Sequence, residues 1–278
     1  MVTLVRSVLF LPASNARAIE KARGLDCDLA VLDLEDAVAP EMKAEARAAA
    51  VEAVRAGGFR GQVGVRVNAL GTEWGEADLA ALAGLRLDWI VAPKVEEAGT
   101  VDAYEARMGE AVRLFAMIET PRALLGLAQI AAAGGPLRAL MLGVNDLAKA
   151  LGTGPSPDRE PMKPWLSAIV AAARAHDLLA IDGVFNRLDD AEGLAAECGQ
   201  ARLYGFDGKS LIHPNQIAAA HVAFSPGPAE VAEAQAIVAA FAAPEAAARG
   251  AIRVNGAMVE RLHLAQAQAL LDRAAVCG

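Results

Sequence analysis

Short runs of apolar and β-branched residues recur along the chain and alternate with alanine-rich stretches. Eight such runs stand out: RSVLFLP, LAVLDLED, QVGVRVN, WIVAPKVE, RLFAMIET, RALMLGVND, LLAIDGVF and LYGFDGKSL. Continuous apolar runs are typical of strands covered on both faces, and their alternation with helical stretches predicts parallel strands joined by crossover helices. Eight such units in 278 residues favour a (β/α)8 TIM barrel over an open doubly wound sheet.

The stretches between the runs carry helix signals. In PEMKAEARAAAVEAVRAGG, for example, Pro40 stands near the start and a glycine pair follows the end, as expected for a helix with ordinary termini. The last helix of the barrel, AEVAEAQAIVAAF, is expected to close at Phe241. We therefore predict a catalytic barrel over residues 1–241. Residues 242–278 are expected to form a small-residue linker, a turn and a terminal helix that serves as a lid or as a segment exchanged between subunits.

Composition and charge narrow the class of protein. The 34 acidic and 26 basic residues give a net charge of −8, which argues against a nucleic-acid surface. No apolar run approaches the roughly 20 residues of a membrane helix, and the N-terminus leads too directly into the first strand to be a signal peptide. We therefore expect a cytoplasmic protein. Three cysteines without C-x-x-C spacing suggest neither a disulfide framework nor a zinc site.

Polar residues stand where several of the apolar runs stop. They follow the second to the sixth predicted strands, and in chain order they are Glu35, Asp36, Arg66, Asn68, Lys94, Glu96, Glu119 and Asp146. In a barrel the carboxyl ends of all strands converge on one face, and active sites are built on that face. The sequence therefore predicts that these side chains surround one site.

Glu119 and Asp146 follow neighbouring strands and have no Cys or His beside them. Oxygen ligands of this kind suit Mg²⁺, which binds a few carboxylates and keeps waters or substrate oxygens in its other positions. The alternative is that each carboxylate only caps the following helix, since ETPRALL and NDLAKAL resemble helix starts. The occurrence of both on neighbouring strands, beside the acidic pair Glu35 and Asp36, favours the metal site.

Four further residues have competing interpretations. Arg66 is interpreted as a clamp for a substrate carboxylate, because a planar guanidinium offers two parallel donors, although a structural salt bridge to nearby acids is the alternative. Lys94 and Lys209 raise the possibility of a Schiff-base aldolase, which leaves the carboxylate pair unexplained. His213 in SLIHPNQI could act as an acid or base, or it could brace the loop after the eighth strand.

A set of motifs occurs in a fixed order from about Arg6 to Phe241: LDLEDAVAPEMKAEAR, VRVNALGTEW, APKVEEAGTV, AMIETPRALL, LMLGVNDLAK, IDGVFN and GFDGKSLIHPNQI. As a set they resemble the citrate lyase β-subunit-like branch of the aldolase family that includes malyl-CoA and citramalyl-CoA lyases. The resemblance implies a (β/α)8 barrel that is usually trimeric. It implies Mg²⁺ held by Glu119 and Asp146, with Arg66 and Glu119 at the substrate, and Glu35 and Asp36 ordering the waters of the metal.

The resemblance also implies a binding place for coenzyme A. Asn15, Arg17 and Lys21 stand at a helix start after the first strand, a position that phosphates favour, and Arg17 and Lys21 match the basic residues that would hold the CoA phosphates. Relatives that use CoA commonly carry a C-terminal GxMxD motif whose Asp reaches a neighbouring subunit as acid or base. This chain has GAMVE, which places Glu260 there. A carboxylate is retained on a side chain longer by one methylene.

The expected activity is a reversible, Mg²⁺-dependent carbon–carbon cleavage of a 3-hydroxyacyl-CoA, such as malyl-CoA or citramalyl-CoA, into an acyl-CoA and a 2-oxoacid. Arg66 and the metal would stabilise the enolate, and Glu260, or failing that Asp36, would remove the hydroxyl proton. Two other enzyme activities stay open: the β-subunit of a multi-subunit citrate lyase, whose thioester is on a carrier protein, and hydrolysis of the thioester. The retention of Glu119, Asp146 and Arg66 disfavours a non-catalytic binding module.

Overall fold

The computed structural model describes residues 4–156, 158–243 and 249–277. Within them, parallel strands in chain order close into an eight-stranded barrel. The strands are β1 (Ser7–Pro12), β2 (Leu29–Asp33), β3 (Gln62–Arg66), β4 (Trp89–Ala92), β5 (Arg113–Ile118), β6 (Leu137–Leu142), β7 (Leu179–Asp182) and β8 (Gly208–Leu211). Residues 7–9 of β1 pair with residues 209–211 of β8 and close the ring. The predicted (β/α)8 barrel is confirmed.

Helices follow the strands and flank the barrel, because parallel neighbours need a crossover connection. They are α1 (Ala16–Arg23), α2 (Lys43–Ala56), α3 (Gly75–Leu82), α4 (Ala98–Glu105), α5 (Pro121–Leu125), α6 (Leu127–Ala132), α7 (Val144–Leu151), α8 (Lys163–Ala175), α9 (Ala191–Tyr204) and α10 (Ile217–Phe224). Local signals explain their ends. The side chain of Asn15 accepts a hydrogen bond from the Ala18 N–H at the start of α1, and Gly57 ends α2 with a φ of 61°, a conformation that favours glycine.

Apolar side chains from the strands fill the barrel interior. Trp89 and Phe115 are fully buried, and their ring centroids lie 4.3 Å apart. Met117 and Met141 belong to the same apolar cluster and also line the cavity at the barrel mouth. Burial of a side chain of this size stabilises the fold by about 1.5–3 kcal/mol. The core therefore supplies a rigid apolar floor for the cavity.

Two of the predicted strands run into neighbouring helices. The run RALMLGVND reached Asp146, but β6 ends at Leu142 and α7 begins at Val144, so Asp146 lies in the first turn of a helix. The run LYGFDGKSL began five residues before β8, and its first two residues belong to α9. Apolar residues occur on both sides of these boundaries, so hydrophobicity alone did not separate strand from helix.

Contacts divide the chain into a barrel unit, Val5–Ala223, and a second unit made of Phe224–Gly278 with the N-terminal residues. Helix α11 (Pro228–Ala242) is therefore grouped with the C-terminal segment rather than with the barrel. The domain boundary expected at residue 241 and the lid role of the tail stay predictions. Residues 244–248 of the predicted linker lie outside the described residues.

The second unit contains a hairpin in addition to helices. Strands β9 (Ala251–Val254) and β10 (Ala257–Glu260) pair antiparallel and are followed by α12 (Arg261–Cys277). Asn255 and Gly256 connect them with φ values of 48° and 86°, the conformation for which Asn-Gly is preferred in two-residue hairpin turns. The sequence pattern predicts only a turn before the terminal helix, and the structure corrects this to a hairpin.

Two expectations from composition concern the membrane and the cysteines. In the described part of the chain, every helix is too short or too polar to cross a bilayer; the cytoplasmic location stays a prediction. Cys27, Cys198 and Cys277 are free thiols. Burial raises the pKa of Cys27 and of Cys198 to about 11, so these two thiols are poor nucleophiles near neutral pH.

Candidate active site

A cavity of about 450 Å³ is lined by the carboxyl ends of the strands and the loops that follow them. This volume is within the range of small-molecule sites. Four of the predicted residues line it, namely Asp36, Arg66, Glu119 and Asp146. Its apolar wall includes Phe10, Met117, Met141, Val184 and Ile212. With Asp33, which also lines the cavity, the structure therefore brings a cationic group and four carboxylates to one mostly apolar pocket.

Arg66 is held by Asp33, the last residue of β2, which lies beside it in the register of β2 and β3. The Nε and Nη2 atoms of Arg66 donate to the two carboxylate oxygens of Asp33 at 2.7 and 2.6 Å. The two parallel donors that were predicted to bind a substrate carboxylate, Nε and Nη2, are therefore occupied by Asp33. The remaining nitrogen, Nη1, lies 3.0 Å from Oε2 of Glu35 and 3.8 Å from the sulfur of Met117. A substrate contact of Arg66 would therefore use the Nη1 edge.

Asp33 also shapes the turn that carries the acidic pair. Its carboxylate accepts hydrogen bonds from the N–H groups of Glu35, at 2.9 Å, and Ala37, at 3.2 Å. Glu35 is buried, whereas the Asp36 side chain is 54% exposed at the cavity. Burial raises the pKa of Glu35, and the charges of Arg66 and Lys94 partly offset that rise. Of the pair, Asp36 is the carboxylate that solvent and a ligand can reach.

Lys94 follows β4, and its side chain lies beside both members of the acidic pair. Its ammonium forms an ion pair with Glu35 and lies 3.9 Å from Asp36. Burial alone would lower the pKa of Lys94, but the hydrogen bond and charge of Glu35, with smaller effects from Asp36 and Glu119, outweigh it and raise that pKa. Lys94 therefore stays protonated, and a protonated amine does not form a Schiff base.

The second lysine of the aldolase alternative lies away from the cavity. Lys209 is fully buried and donates to Asp182 at 2.6 Å, to the Gly183 carbonyl at 2.6 Å and to Glu197 at 2.7 Å. Arg159 binds the same Asp182 carboxylate. All donor capacity of the Lys209 ammonium is used in this network. The Schiff-base alternative is therefore not supported by either lysine.

Glu119 is as deeply buried as Asp33, with 1% of its surface exposed. One oxygen, Oε1, accepts the backbone N–H of Lys94 at 2.7 Å, and the other, Oε2, is buried without a hydrogen-bond partner. Burial and the negative charge of Glu35 raise the pKa of Glu119 to about 7, against the opposing effects of Lys94 and Arg66. An unsatisfied buried carboxylate oxygen is costly unless a cation or a donor meets it.

The helix-capping alternative does not account for either predicted metal ligand. Thr120, not Glu119, caps α5, because its hydroxyl accepts the Ala123 N–H at 3.1 Å. Asp146 lies inside the first turn of α7, whose cap position is Gly143. Negative charge in the first turn is still favourable to a helix, but neither carboxylate satisfies a helix N-terminus directly.

The donor set fits a hard cation that keeps other ligands. Glu119 offers one free oxygen, and Asp146 is half-buried at the same cavity. Among the described residues, no cluster of three or more His, Cys, Asp or Glu is arranged to hold a metal. Mg²⁺ needs no such cluster, because it is commonly bound through one or two carboxylates with waters and substrate oxygens completing its octahedron. The residues present therefore fit Mg²⁺ and do not fit a closed zinc site.

Three other predicted residues have structural partners. Asn68 is buried and donates to the Leu34 carbonyl and to Asp78, and Glu96 pairs with Arg122 on the surface. His213 begins a short 3-10 turn, where its Nδ1 accepts the Asn215 N–H at 3.2 Å. The bracing interpretation of His213 is therefore supported.

The residues predicted to serve CoA and acid–base chemistry lie in different units. Both basic residues are exposed on α1 of the barrel unit, but only Arg17 lies near the helix start; Lys21 lies in the last turn, which corrects its predicted position. Glu260 ends β10 in the second unit, where its side chain is exposed and its backbone N–H donates to Nδ1 of His263 at 2.9 Å. The assignments of these residues stay predictions.

Sequence reasoning missed two elements of the site. The signal for Asp33 is present in LDLED, which places an acid at an inward strand end, but the adjacent pair Glu35 and Asp36 is more prominent. Asn145, in the first turn of α7, and Asn186, in the loop after β7, form an amide pair. Nδ2 of Asn186 donates to Oδ1 of Asn145 at 2.7 Å. No local sequence signal links residues 41 positions apart.

Comparisons with known proteins give one consistent family. The family described as HpcH/HpaI aldolase/citrate lyase matches residues 6–214. The chain is 46% identical over 272 residues to a (3S)-malyl-CoA thioesterase of Cereibacter sphaeroides, which covers 97% of this chain and 94% of that protein. It is 34% identical over 299 residues to an L-malyl-CoA/beta-methylmalyl-CoA lyase of the same species, with the same coverage.

Solved structures give the same result. The protein CitE from Mycobacterium tuberculosis, in complex with magnesium, acetoacetate and coenzyme A, superimposes with a TM-score of 0.80 at 34% identity and covers 97% of each chain. The citrate lyase beta subunit from the same organism, complexed with oxaloacetate and magnesium, has a TM-score of 0.70 at 34% identity and covers 80% of this chain and 98% of that chain. These proteins share the fold and a clear sequence relationship with the present chain.

Proposed function

The chain belongs to the HpcH/HpaI aldolase/citrate lyase family, and from that premise we propose that it acts on a malyl-CoA-type thioester, with hydrolysis as its leading reaction. Membership confirms the family resemblance and the lyase-type enzyme class inferred from the motifs. The observation that carries the choice of hydrolysis is the 46% identity, over nearly the full length of both chains, to a protein named (3S)-malyl-CoA thioesterase. The lyase of the same species is less similar, at 34%.

Glu119 and Asp146 would hold Mg²⁺ in this proposal. When bound, the metal would polarise substrate oxygens as a Lewis acid and orient the substrate. Two solved relatives are complexes with magnesium, and Oε2 of Glu119 supplies a carboxylate oxygen without a partner. The negative charge of a malyl carboxylate would be met by the metal and by the Nη1 edge of Arg66.

Hydrolysis needs a base that can reach both water and the thioester carbonyl. Asp36 is exposed at the cavity, so its carboxylate can take a proton from water as the water oxygen bonds to the carbonyl carbon. The carbon–sulfur bond then breaks, and the thiolate of CoA takes the proton. The products are malate and free CoA, and Glu260 is the alternative base.

Reversible carbon–carbon cleavage is the second candidate, favoured by the 34% identity to a malyl-CoA lyase. In that reaction Glu260, or failing that Asp36, takes the proton of the substrate hydroxyl, the carbon–carbon bond breaks, and its electrons pass to the thioester as an enolate. Arg66 with the metal would stabilise this charge, and protonation gives an acyl-CoA with release of a 2-oxoacid. Malyl-CoA and citramalyl-CoA are the proposed substrates.

The third candidate is the β-subunit of a multi-subunit citrate lyase, which is favoured by the likeness to a solved citrate lyase beta subunit. In that case the thioester would be on a carrier protein. Exposed Arg17 in the first turn of α1 supports free CoA instead, since phosphates bind well near helix starts with basic neighbours. Lys21 lies in the last turn of the same helix. We also propose a homo-oligomer, a trimer or a hexamer, which light scattering would test.

One experiment separates the three candidates. The purified protein is incubated with malyl-CoA, citramalyl-CoA and a carrier-protein citryl thioester, with Mg²⁺ or with EDTA, while free thiol and 2-oxoacid are measured together. Hydrolysis gives thiol without 2-oxoacid, and cleavage gives 2-oxoacid without thiol. No turnover of either CoA thioester, with activity appearing only on a carrier-protein thioester, would contradict the proposal and favour the citrate lyase subunit.

Replacing Arg66 by Lys is expected to lower kcat/KM by on the order of 10²–10³-fold, the usual loss when one preorganised donor is removed. An ammonium keeps the charge but cannot span both oxygens of Asp33 and still reach the cavity. Steady-state kinetics and thermal unfolding of the variant test this. Arg47→Lys is the matched control, because Arg47 pairs with Asp78 outside the cavity. Near-normal kinetics in Arg66→Lys would leave Arg66 as a structural salt bridge only.

A further inference from the structure

We propose that Gly143 and Lys94 are positioning residues, which fix the carboxylate of Glu119 from two sides and leave one of its oxygens free for a cation. This inference rests on the proposed metal site and identifies the parts of the chain that hold its ligand. Both residues follow strand ends next to β5, Lys94 after β4 and Gly143 after β6. Lys94 contacts Glu119 through its peptide N–H, and Gly143 contacts it through a backbone that carries no side chain.

Lys94 contributes through its backbone conformation. Its φ is 52°, in the left-handed region that residues with a Cβ seldom adopt. Its peptide N–H donates to Oε1 of Glu119 at 2.7 Å, while its ammonium pairs separately with Glu35. Such a conformation persists only where surrounding contacts determine it. The main chain of Lys94 therefore serves Glu119, and its side chain serves a different carboxylate.

Gly143 contributes by lacking a side chain. Its φ of −90° and ψ of 78° do not require glycine for conformational reasons. A Cβ at this position would lie 2.3 Å from Cβ and 2.4 Å from Oε2 of Glu119, distances that atoms not bonded to each other do not reach. The N–H of Gly143 donates to the Ile118 carbonyl at 3.0 Å, which holds the glycine in place. Glu119 therefore occupies the space that a side chain would fill.

Together the two contacts orient the carboxylate. Oε1 is committed to the Lys94 amide, and Oε2, against Gly143, has no hydrogen-bond partner. A ligand held in one orientation before the cation arrives does not lose that freedom on binding. The arrangement thus favours a cation that takes a single oxygen from Glu119, and loss of either support should weaken cation binding before it affects other parts of the barrel.

The test is Gly143→Ala, with the affinity for Mg²⁺ alone measured by calorimetry in the absence of substrate. We expect an affinity at least about tenfold weaker, since disturbed ligand supports commonly cost 10–100-fold. Gly199→Ala is the matched control, because a Cβ there meets nothing within 4 Å, and its Mg²⁺ affinity should equal that of the wild type. Unchanged affinity in Gly143→Ala would overturn the role of Gly143.

Lys94→Gly and Lys94→Met test the other side. Both remove the ammonium and keep the peptide N–H, so both should bind Mg²⁺ with equal affinity, within about tenfold of the wild type. Glycine adopts a positive φ without strain, so Lys94→Gly should unfold at a higher temperature than Lys94→Met. Loss of Mg²⁺ binding in both variants would show that the side chain, not the amide, supports Glu119 and would overturn this part of the proposal.

If Gly143→Ala folds poorly, a double variant tests the steric conflict between a side chain at position 143 and Glu119. The double variant Gly143→Ala with Glu119→Gly removes all three Glu119 atoms that the new methyl group would meet, so its unfolding temperature should rise above that of Gly143→Ala. No recovery would overturn the proposed conflict. A wild type that binds no Mg²⁺ would overturn the proposed metal site, while the thermal recovery would still decide whether Gly143 makes room for Glu119.

Discussion

Glu119→Gln and, separately, Asp146→Asn are expected to abolish Mg²⁺-dependent turnover, with the barrel still folded. Each change removes one ligand charge and keeps the size of the side chain. Changes to residues that merely support a metal ligand typically cost 10–100-fold, so loss of a ligand should leave less than about 1% of the activity. In Glu119→Gln the amide oxygen of the new side chain can still accept the Lys94 N–H, which preserves the local structure. Turnover with and without EDTA and Mg²⁺ titration measure the loss of metal-dependent activity, and circular dichroism measures whether the barrel is still folded.

The control for charge alone is Glu96→Gln. Glu96 is 38% exposed and pairs with Arg122 at 3.5 Å, and it does not line the cavity. Its loss should leave Mg²⁺ binding and turnover close to wild type, because exposed ion pairs contribute little. Wild-type activity in Glu119→Gln or Asp146→Asn in the presence of EDTA would contradict the metal site.

Glu260→Gln should lower kcat by roughly 10²–10⁴-fold if Glu260 is the general acid or base, since that is the usual contribution of such a group. The reason for choosing this residue is its place in GAMVE, where the family resemblance implies an acidic residue that serves as acid or base. Mg²⁺ binding depends on other residues and should stay near wild type. Strongly reduced turnover with retained Mg²⁺ affinity, measured by kinetics and calorimetry, is the expected combination.

Two further measurements locate the base. Mixing Glu260→Gln subunits with Glu119→Gln subunits should restore some activity if one subunit supplies the base to another. Asp272→Asn, an exposed carboxylate change in the same C-terminal unit, should leave kcat unchanged. A normal kcat in Glu260→Gln would exclude the tail from the chemistry and would move the base assignment to Asp36.

The barrel was predictable because its signals are local and repeated. Each strand is a short apolar run, and the helices between carry their own start and end signals, such as Asn15 and Gly57. Parallel strands must be separated by crossovers, so the alternation itself limits the topology. The same logic placed Arg66, Glu119 and Asp146 around one cavity, since the ends of successive barrel strands converge.

The partners of these side chains were not predictable in the same way. Asp33 occupies the two parallel donors of Arg66 through the register of neighbouring strands, and a sequence does not state which of three nearby acids will do so. The orientation of Glu119 depends on Lys94 and Gly143, which are 25 and 24 residues away in sequence. Such contacts form only when separate elements are placed relative to one another to within a few tenths of an ångström.

The eight strands, the barrel that they form and the strand ends at which functional groups gather were predictable from the amino-acid pattern, because hydrophobic burial and turn chemistry act over a few residues. Tertiary structure alone decided that Arg66 is bound to Asp33, that Lys94 and Lys209 are engaged in ion pairs, and that one oxygen of Glu119 is left without a partner. The physical reason is that hydrogen bonds and ion pairs are short-range and directional. They are therefore fixed only when strands distant in sequence have packed at a defined register.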